Sequence, residues 1–419
     1  MVARIAMISE HASPLATIGG VDSGGQNVYV ARLANQLAAR GYQVDVYTRR
    51  DKETFPEVVK FINRVRVVHV QAGPPRPVPK EELLPFMDEF AQNMLAFCQR
   101  QRRPYDLAHA NFWTSGVVAA KLKSETGLPF VVTFHALGRV RRLHQGEADR
   151  FPPSRPEHEE RIIAAADGII AECPQDREDL LRLYGADPAK IRIIPCGFDS
   201  AEFWPIARAL ARREVGFAPN ERVVLQLGRL VPRKGIDNVV QALARLRRDH
   251  AIDASLVIVG GETDEPCPIA NPEIARLQAI AQAQGVAEHV RFTGRRPRQM
   301  LRYYYNAADV FVTTPWYEPF GITPVEAMAC GTPVIGATVG GIKSTVRHGR
   351  TGFLVPPRNP EALAMRLAEV LRDPELGRRF GEAGRERALR HFTWSHVADG
   401  IEAVYSRVMA GERRRVTAG

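Results

Sequence analysis

Strand-like and helical runs alternate along the whole of this 419-residue chain, and the alternation starts afresh near its middle. In the first half, apolar and β-branched runs at Arg4–Ser9, Val44–Thr48, Val65–Val70, Leu107–His109, Phe130–Phe134, Gly168–Ala171 and Ile191–Ile194 read as strands. Helical periodicity fills the intervals at Gln26–Arg40, Leu84–Gln101, Ser115–Thr126, Glu157–Ala166 and Gln175–Tyr184. Strands separated by helices must cross over to lie parallel, which covers both faces of the sheet. Pro195, Gly197 and Pro205 then break the pattern in what looks like a hinge. It resumes with strands at Val223–Gln226, Ser255–Val259, Val290–Thr293, Val310–Thr313, Pro333–Gly336 and Gly352–Val355. The helices of this half are Lys234–Arg247, Pro272–Gln284, Arg298–Asn306 and Glu361–Arg372.

The fold class is therefore α/β, with two doubly wound Rossmann-like domains facing each other across a cleft. Residues 1–200 form the first and residues 206–390 the second; an amphipathic helix at 395–410 returns to pack on the first. A chain of this length suits two domains of roughly 200 residues each. Ligands of such sheets bind outside the carboxyl ends of the strands.

The 45% hydrophobic and 25% charged fractions are those of a soluble globular protein. A net charge of +10 suits phosphorylated small molecules, anionic lipid or nucleic acid. Without an RNP, zinc-finger or heptad pattern, nucleic acid is not expected as a partner. Cys98, Cys173, Cys196, Cys267 and Cys330 are scattered, which fits reduced thiols in a cytoplasm and neither disulfides nor a zinc site. No apolar run approaches about 18 residues, and Arg4–Ser9 reads as a strand and not as a signal peptide. The tail Arg413-Arg414-Arg415 allows peripheral contact with anionic membrane lipids, a frayed basic terminus being the plainer reading.

Chemistry concentrates in Glu318-Pro319-Phe320-Gly321-Ile322-Thr323-Pro324-Val325-Glu326. Pro324 reads as the first residue of a helix Val325–Cys330, with Glu318 in the preceding loop and Glu326 in the first turn. The free N–H groups and positive dipole end of a helix suit an anion, and carboxylates accept hydrogen bonds from hydroxyls. Taken alone, Glu326 is explained more plainly by a capped core helix. The second element is Gly228-Arg229-Leu230-Val231-Pro232-Arg233-Lys234-Gly235, after a strand and before a helix. Arg229 can fork across a diphosphate and Lys234 add a point charge, while Arg233 is expected to point to solvent. Cations at a helix start oppose the dipole, so a purely structural role is uncomfortable there.

In the first half, Gly19-Gly20-Val21-Asp22-Ser23-Gly24-Gly25 precedes a helix and lets a phosphate or sugar approach the backbone, or merely caps that helix. His135 ends a parallel strand, where a polar side chain is placed for the cleft. Arg139, Arg141 and Arg142 follow it as a basic cluster able to hold an acceptor phosphate, a solvated face being the plainer reading. His109, Asn111 and Trp113 end another strand, where they can line the acceptor side by polar contact and stacking. There is no Asp-x-Asp pair, phosphate-loop, serine-elbow or H-E-x-x-H motif, so neither metal nor bound cofactor is expected.

Through these residues the chain resembles the retaining nucleotide-sugar glycosyltransferases of family 4, which have the glycosyltransferase B fold. Ala327-Met328-Ala329-Cys330-Gly331-Thr332-Pro333-Val334, Gly340-Gly341 and Thr351-Gly352-Phe353-Leu354-Val355 extend the likeness beyond Glu326. Asp22-Ser23-Gly24-Gly25-Gln26, His109-Ala110-Asn111-Phe112-Trp113 and His135-Ala136-Leu137-Gly138-Arg139 look most like sucrose-phosphate synthases, and inositol-phosphate glycosyltransferases share part of them. The resemblance implies that Glu326 holds ribose hydroxyls and that Glu318 holds sugar hydroxyls, helped by backbone amides of Phe320, Gly321, Ile322 and Thr323. It implies that Arg229 and Lys234 bind the diphosphate and that His135 lies beside the transferred sugar. Gly24 and Gly25 would line the cleft near donor and acceptor, with Gln26 on the acceptor side. The implied reaction is retaining transfer of a hexose, with UDP-glucose as first choice of donor. The acceptor would be a sugar or polyol phosphate such as fructose 6-phosphate, or a lipid-linked saccharide. The proline-rich stretch Pro74–Pro85 marks an altered acceptor loop.

Two rivals come from other classes. A non-catalytic sugar-nucleotide sensor would share the same residues. A nucleotide-dependent oxidoreductase is hinted at only by Arg49 and Arg50, and the G-x-G-x-x-G fingerprint it needs is missing. The residues leave base, sugar, acceptor and oligomeric state open.

Overall fold

A computed structural model describes residues 2–16 and 24–418, with side chains as far as residue 411. It divides into two compact units, Met1–Pro195 with Trp394–Gly419, and Cys196–Thr393.

The first unit holds an eight-stranded sheet of β1 (Arg4–Ile8), β2 (Gln43–Arg49), β3 (Val58–Ile62), β4 (Val65–Val70), β5 (Leu107–Asn111), β6 (Phe130–Thr133), β7 (Gly168–Ala171) and β8 (Ile191–Ile193) in the order β3-β4-β2-β1-β5-β6-β7-β8. All neighbours are parallel except β3 and β4. The β3–β4 hairpin is absent from the sequence reading. Its edge strand is half exposed throughout, so it carries no buried apolar run, and Arg64 closes the turn in the left-handed region at φ 63°. The central strands are solidly buried, as helices on both faces require; Ile5, Ala6, Met7 and Ile8 expose nothing.

The final helix, Trp394–Ala418, lies against the helix Gly25–Ala39 of the same unit. Arg40 donates to Asp399 at 2.7 Å, Tyr42 donates to Glu402 at 3.0 Å, and the buried Tyr405 hydroxyl meets His109 Nδ1 at 2.7 Å.

The second unit holds a fully parallel six-stranded sheet of β9 (Val223–Leu227), β10 (Ser255–Val259), β11 (Val290–Gly294), β12 (Val310–Thr313), β13 (Val334–Ala337) and β14 (Gly352–Val355), ordered β11-β10-β9-β12-β13-β14. Winding reverses between β1 and β5 in the first sheet and between β9 and β12 in the second. Those two points are where doubly wound sheets open a crevice for ligands. The helices Gly138–Gln145, Arg208–Val215 and Pro374–His391 are further additions to the sequence reading. The first two are short and charge-rich, and the third carries Gly377, Gly381 and Gly384, which weaken helical propensity. Gly381 is needed there, because a Cβ would stand 2.0 Å from the Gly331 carbonyl oxygen.

Candidate functional site

The chemistry of the second unit gathers at its switch point. After β9 the chain runs through Gly228 and the exposed Arg229 into a tight turn at Pro232–Lys234, then through Gly235 into the helix Ile236–His250. Gly235 sits at φ 64°, and a Cβ there would stand 2.1 Å from the Thr314 carbonyl oxygen just beyond β12. Thr314 Oγ1 donates to the Gly235 carbonyl at 2.9 Å, and the Trp316 amide donates to the Arg233 carbonyl at 2.9 Å. These stitches bring the β9 and β12 loops together, and Lys234 Nζ donates to Glu318 Oε2. Arg233 does not point to solvent as the sequence suggested. Its side chain is mostly buried against the Tyr317 ring, 5.4 Å from the centroid, with Nη1 3.9 Å from Glu318 Oε2.

Burial works to raise the Glu318 carboxyl, but the charges of Lys234, Arg233 and Arg229 outweigh it and hold it below the usual carboxylate range. Lys234 lies below the ordinary lysine value because burial lowers it; Glu318 opposes that shift, and the two arginines add to it. One anion thus stands among three cations.

The Glu318 loop is clamped by the glycine pair after β13. The Gly341 amide donates to the Glu318 and Pro319 carbonyls, each at 3.1 Å. A Cβ on Gly340 would lie 1.8 Å from the Glu318 carbonyl oxygen, and one on Gly341 would lie 2.2 Å from that of Phe320, so neither position admits a side chain. Phe320 is buried with its ring 5.9 Å from Phe392, and Gly321 at φ 86° caps the helix Ile322–Ala329. That helix begins earlier than the sequence suggested. Pro324 is its third residue, and Glu326 lies beyond the first turn. The amides of Gly321, Ile322 and Thr323 then head the helix with no acceptor inside it.

Past that early start Glu326 points inward, whereas the sequence placed it in the first turn. It is 2% exposed, its Oε1 accepting from Arg298 at 2.9 Å and its Oε2 from the Tyr305 hydroxyl at 3.0 Å. Burial raises its carboxyl above the ordinary value, with Arg298 opposing. Arg298 also donates to Glu202 at 2.7 Å and lies over the Phe203 ring.

The first unit builds a separate polar cluster beyond β1, β5, β6 and β7. Glu10 is fully buried, accepting from the Thr114 and Ser115 hydroxyls and lying 2.6 Å from His11 Nδ1. Burial raises its carboxyl, but His11 and the two hydroxyls outweigh this and lower it. Gln26 donates to Ser9 Oγ and to the Asn111 carbonyl, both at 3.2 Å. Asn111 and His135 meet at 3.2 Å, and His135 meets Glu172 at 3.0 Å. Gly24 caps the following helix, and Gly25 is exposed; Gly19, Gly20, Asp22 and Ser23 lie outside the described residues, as do the side chains of Arg413–Arg415.

Other expectations for this unit are corrected. Trp113 is fully buried, packed against Phe112, Phe151 and Arg155, because the helix Trp113–Thr126 starts directly after β5 and turns the indole into the core. His109 is equally buried, between Tyr405 and Thr133. Arg139 donates to Glu160 and the Leu183 carbonyl and lies over the Tyr184 ring, so its charge is spent on neighbouring helices. Arg141 is likewise paired, with Asp149 at 3.0 Å. Arg49 is buried and donates to the carbonyls of Ala72, Pro74 and Arg76, so its guanidinium fastens the proline-rich stretch.

Beside Glu172 sits Asp176, whose Oδ2 accepts from the Glu172 amide at 2.9 Å. Burial, and then the Glu172 charge, raise its carboxyl from 3.8 to about 7. The folded chain keeps this proton across an interval in which the unfolded chain has released it, so stability falls as pH rises from about 4 to about 7. Asp176→Asn keeps an acceptor for the amide. It is expected to flatten that slope and raise stability at pH 8 by about 1–2 kcal/mol. Urea unfolding at pH 5 and pH 8 reads this directly, and an unchanged slope would assign the pH dependence elsewhere.

Among the described residues no group of His, Cys, Asp or Glu is arranged to hold a metal ion, and no helix is long and apolar enough to cross a membrane.

Comparison with known proteins identifies the relatives of both units. Residues 23–202 match the model of Glycosyltransferase Family 4 and residues 207–387 that of Glycosyl transferases group 1. The D-inositol 3-phosphate glycosyltransferase of Acidothermus cellulolyticus is 38% identical over 99% of this chain and 92% of its own. That of Corynebacterium glutamicum is 36% identical over 98% of each. Among solved structures, the sucrose-phosphate synthase of Thermosynechococcus elongatus superposes with a TM-score of 0.89 at 35% identity, covering 98% of this chain and 100% of that one. HepE of Anabaena, solved with UDP and glucose, shares the fold at a TM-score of 0.76 and 21% identity over 97% of this chain and 100% of that one. The chain belongs to glycosyltransferase family 4 and is a glycosyltransferase of the B-type fold.

Proposed function

We propose that the protein transfers a hexosyl group, glucose in the first instance, from UDP to a hydroxyl of a small phosphorylated sugar or polyol. Transfer would retain the anomeric configuration and need no metal. The observation that carries this reading is the Lys234–Glu318 pair, set at the switch point of the second sheet beside the amides of Ile322 and Thr323. Lys234 already holds an anion. An arriving diphosphate takes the place of Glu318 on the ammonium, and the released carboxylate then accepts hydrogen bonds from the sugar hydroxyls. Arg229, exposed at the end of the same strand, adds a fork for the phosphates. Charge building on the leaving phosphate is met by these fixed donors, each worth about 3–4 kcal/mol in comparable sites. The leaving phosphate takes the acceptor's proton, and Glu326 would share its carboxylate between the ribose hydroxyls and its partners Arg298 and Tyr305.

The acceptor class rests on the relatives. An inositol 3-phosphate glycosyltransferase and a sucrose-phosphate synthase both handle a small polyhydroxy compound bearing phosphate. Dispersed free cysteines support a cytoplasmic setting.

UDP-glucose at about 100 times its dissociation constant is expected to stabilise the protein by about 2.7 kcal/mol, and GDP- and ADP-glucose by less. UDP release should then depend on added acceptor, with inositol 3-phosphate and fructose 6-phosphate tested side by side. Thermal curves indifferent to every sugar nucleotide, or UDP released at one rate with and without acceptor, would defeat the reading.

A further inference from the structure

The His135 side chain is held at both ends of its ring. Nε2 lies 3.2 Å from Asn111 Oδ1, and Nδ1 lies 3.0 Å from Glu172 Oε1. The Asn111 amide cannot be turned round, because its Nδ2 donates to two main-chain carbonyls, those of Ile8 and His109, each at 3.3 Å. The atom facing Nε2 is therefore a carbonyl oxygen, which only accepts, so Nε2 must carry a proton. On the other side stands a carboxyl group that is almost wholly buried, and a single proton between it and Nδ1 satisfies both atoms. Tyr29 packs its ring edgewise on the imidazole at 4.8 Å and blocks rotation. The backbone of His135 sits at φ 57°, a left-handed conformation that a residue with a Cβ holds only when its surroundings impose it.

We infer that Glu172, with Asn111, is the positioning residue that locks His135 as a fixed donor with Nε2 protonated, so that this histidine cannot serve as a base. Neither ring nitrogen keeps a lone pair for a substrate proton. What His135 offers a sugar is a rigid polar wall whose place is set by β5 through Asn111 and by the end of β7 through Glu172. Its part in transfer rests on the function proposed above; the locked tautomer does not.

Nitrogen NMR of the full chain, with ¹⁵N-labelled histidine, tests the lock without any assay. The His135 signals are identified as those lost in His135→Gln. A protonated Nε2 is expected in the parent spectrum, and a ring with a bare Nε2 overturns the inference. Glu172→Gln removes the carboxylate and keeps the shape. It is expected to shift the Nδ1 resonance and to lower kcat at least ~10-fold, as loss of a ring-orienting partner does elsewhere. The KM for donor should stay near that of the parent, and Glu172→Asp should restore part of the rate. Full activity in Glu172→Gln overturns the positioning role. Should Glu172→Gln fail to fold, the parent spectrum alone decides the tautomer. Should the parent transfer nothing from any sugar nucleotide while Nε2 stays protonated, the proposed function falls and the lock stands.

Discussion

Lys234→Ala is expected to lower transfer from the nucleotide sugar by roughly 100-fold or more while leaving the protein folded. Removing one partner of a mostly buried ion pair usually strands the other charge at a cost of several kcal/mol. Glu318 escapes that fate, because Arg233 Nη1 already lies 3.9 Å away and can turn onto it. Stability should therefore fall by only about 1–2 kcal/mol, a common size for point substitutions. Activity has no such reserve. Lys234 is fixed by the Pro232–Lys234 turn, which Gly235 seats on Thr314, so no other ammonium can reach the same point. The lost contact holds the arriving diphosphate and also meets the charge that develops as the phosphate leaves, so kcat should drop and kcat/KM should drop further. Lys234→Arg should not restore the rate, since a planar guanidinium is a different donor from a compact ammonium. Steady-state rates on UDP-glucose decide the matter, and a Lys234→Ala enzyme within about threefold of its parent would move the donor phosphates away from this loop.

The parts of this site that sequence made legible are those written in backbone chemistry. Gly228 to Gly235 and Glu318 to Gly321 announce turns between a strand and a helix, and the structure puts both at one switch point. What stayed hidden depends on rotation about a helix axis and on partners distant in the chain. The direction of Glu326 follows from where its helix starts, and Gly321 at φ 86° moves that start ahead of Pro324. Trp113 looked like a stacking platform because it follows a polar strand end, yet an immediate helix start carries it into the core. Glu172 carries no local signal, for it is one carboxylate at the end of an ordinary strand, and only the β6–β7 pairing brings it to His135. The edge strand β3 is hidden for a simpler reason: half-exposed residues leave no apolar signature.

The largest stability loss is expected at a residue the sequence did not single out. Arg155 is 1% exposed, with its guanidinium 4.5 Å from the centroid of Phe151 and 5.0 Å from that of Phe112. Its Nε donates to Glu159 Oε1 at 2.8 Å, and Glu159, wholly buried, also accepts from the Gly138 amide and the Tyr184 hydroxyl. Arg155→Ala would empty a slot between aromatic rings and leave Glu159 with neutral donors only. Breaking a buried pair in this way costs about 3–5 kcal/mol. Arg155→Met keeps much of the packing, so the difference between the two variants separates cavity from charge. Adding Glu159→Gln to Arg155→Met should recover part of the loss, because the stranded carboxylate is then gone. Urea unfolding at pH 7 reads all of these. A cost below about 1 kcal/mol for Arg155→Ala would mean that water enters and solvates Glu159. The expected consequence reaches the site as well: Arg155 Nη2 donates to the carbonyl of Ala136, the residue after His135. Loosening that anchor should free the turn that holds His135 at φ 57°, so Arg155→Met should lose transfer rate at temperatures where it is still fully folded.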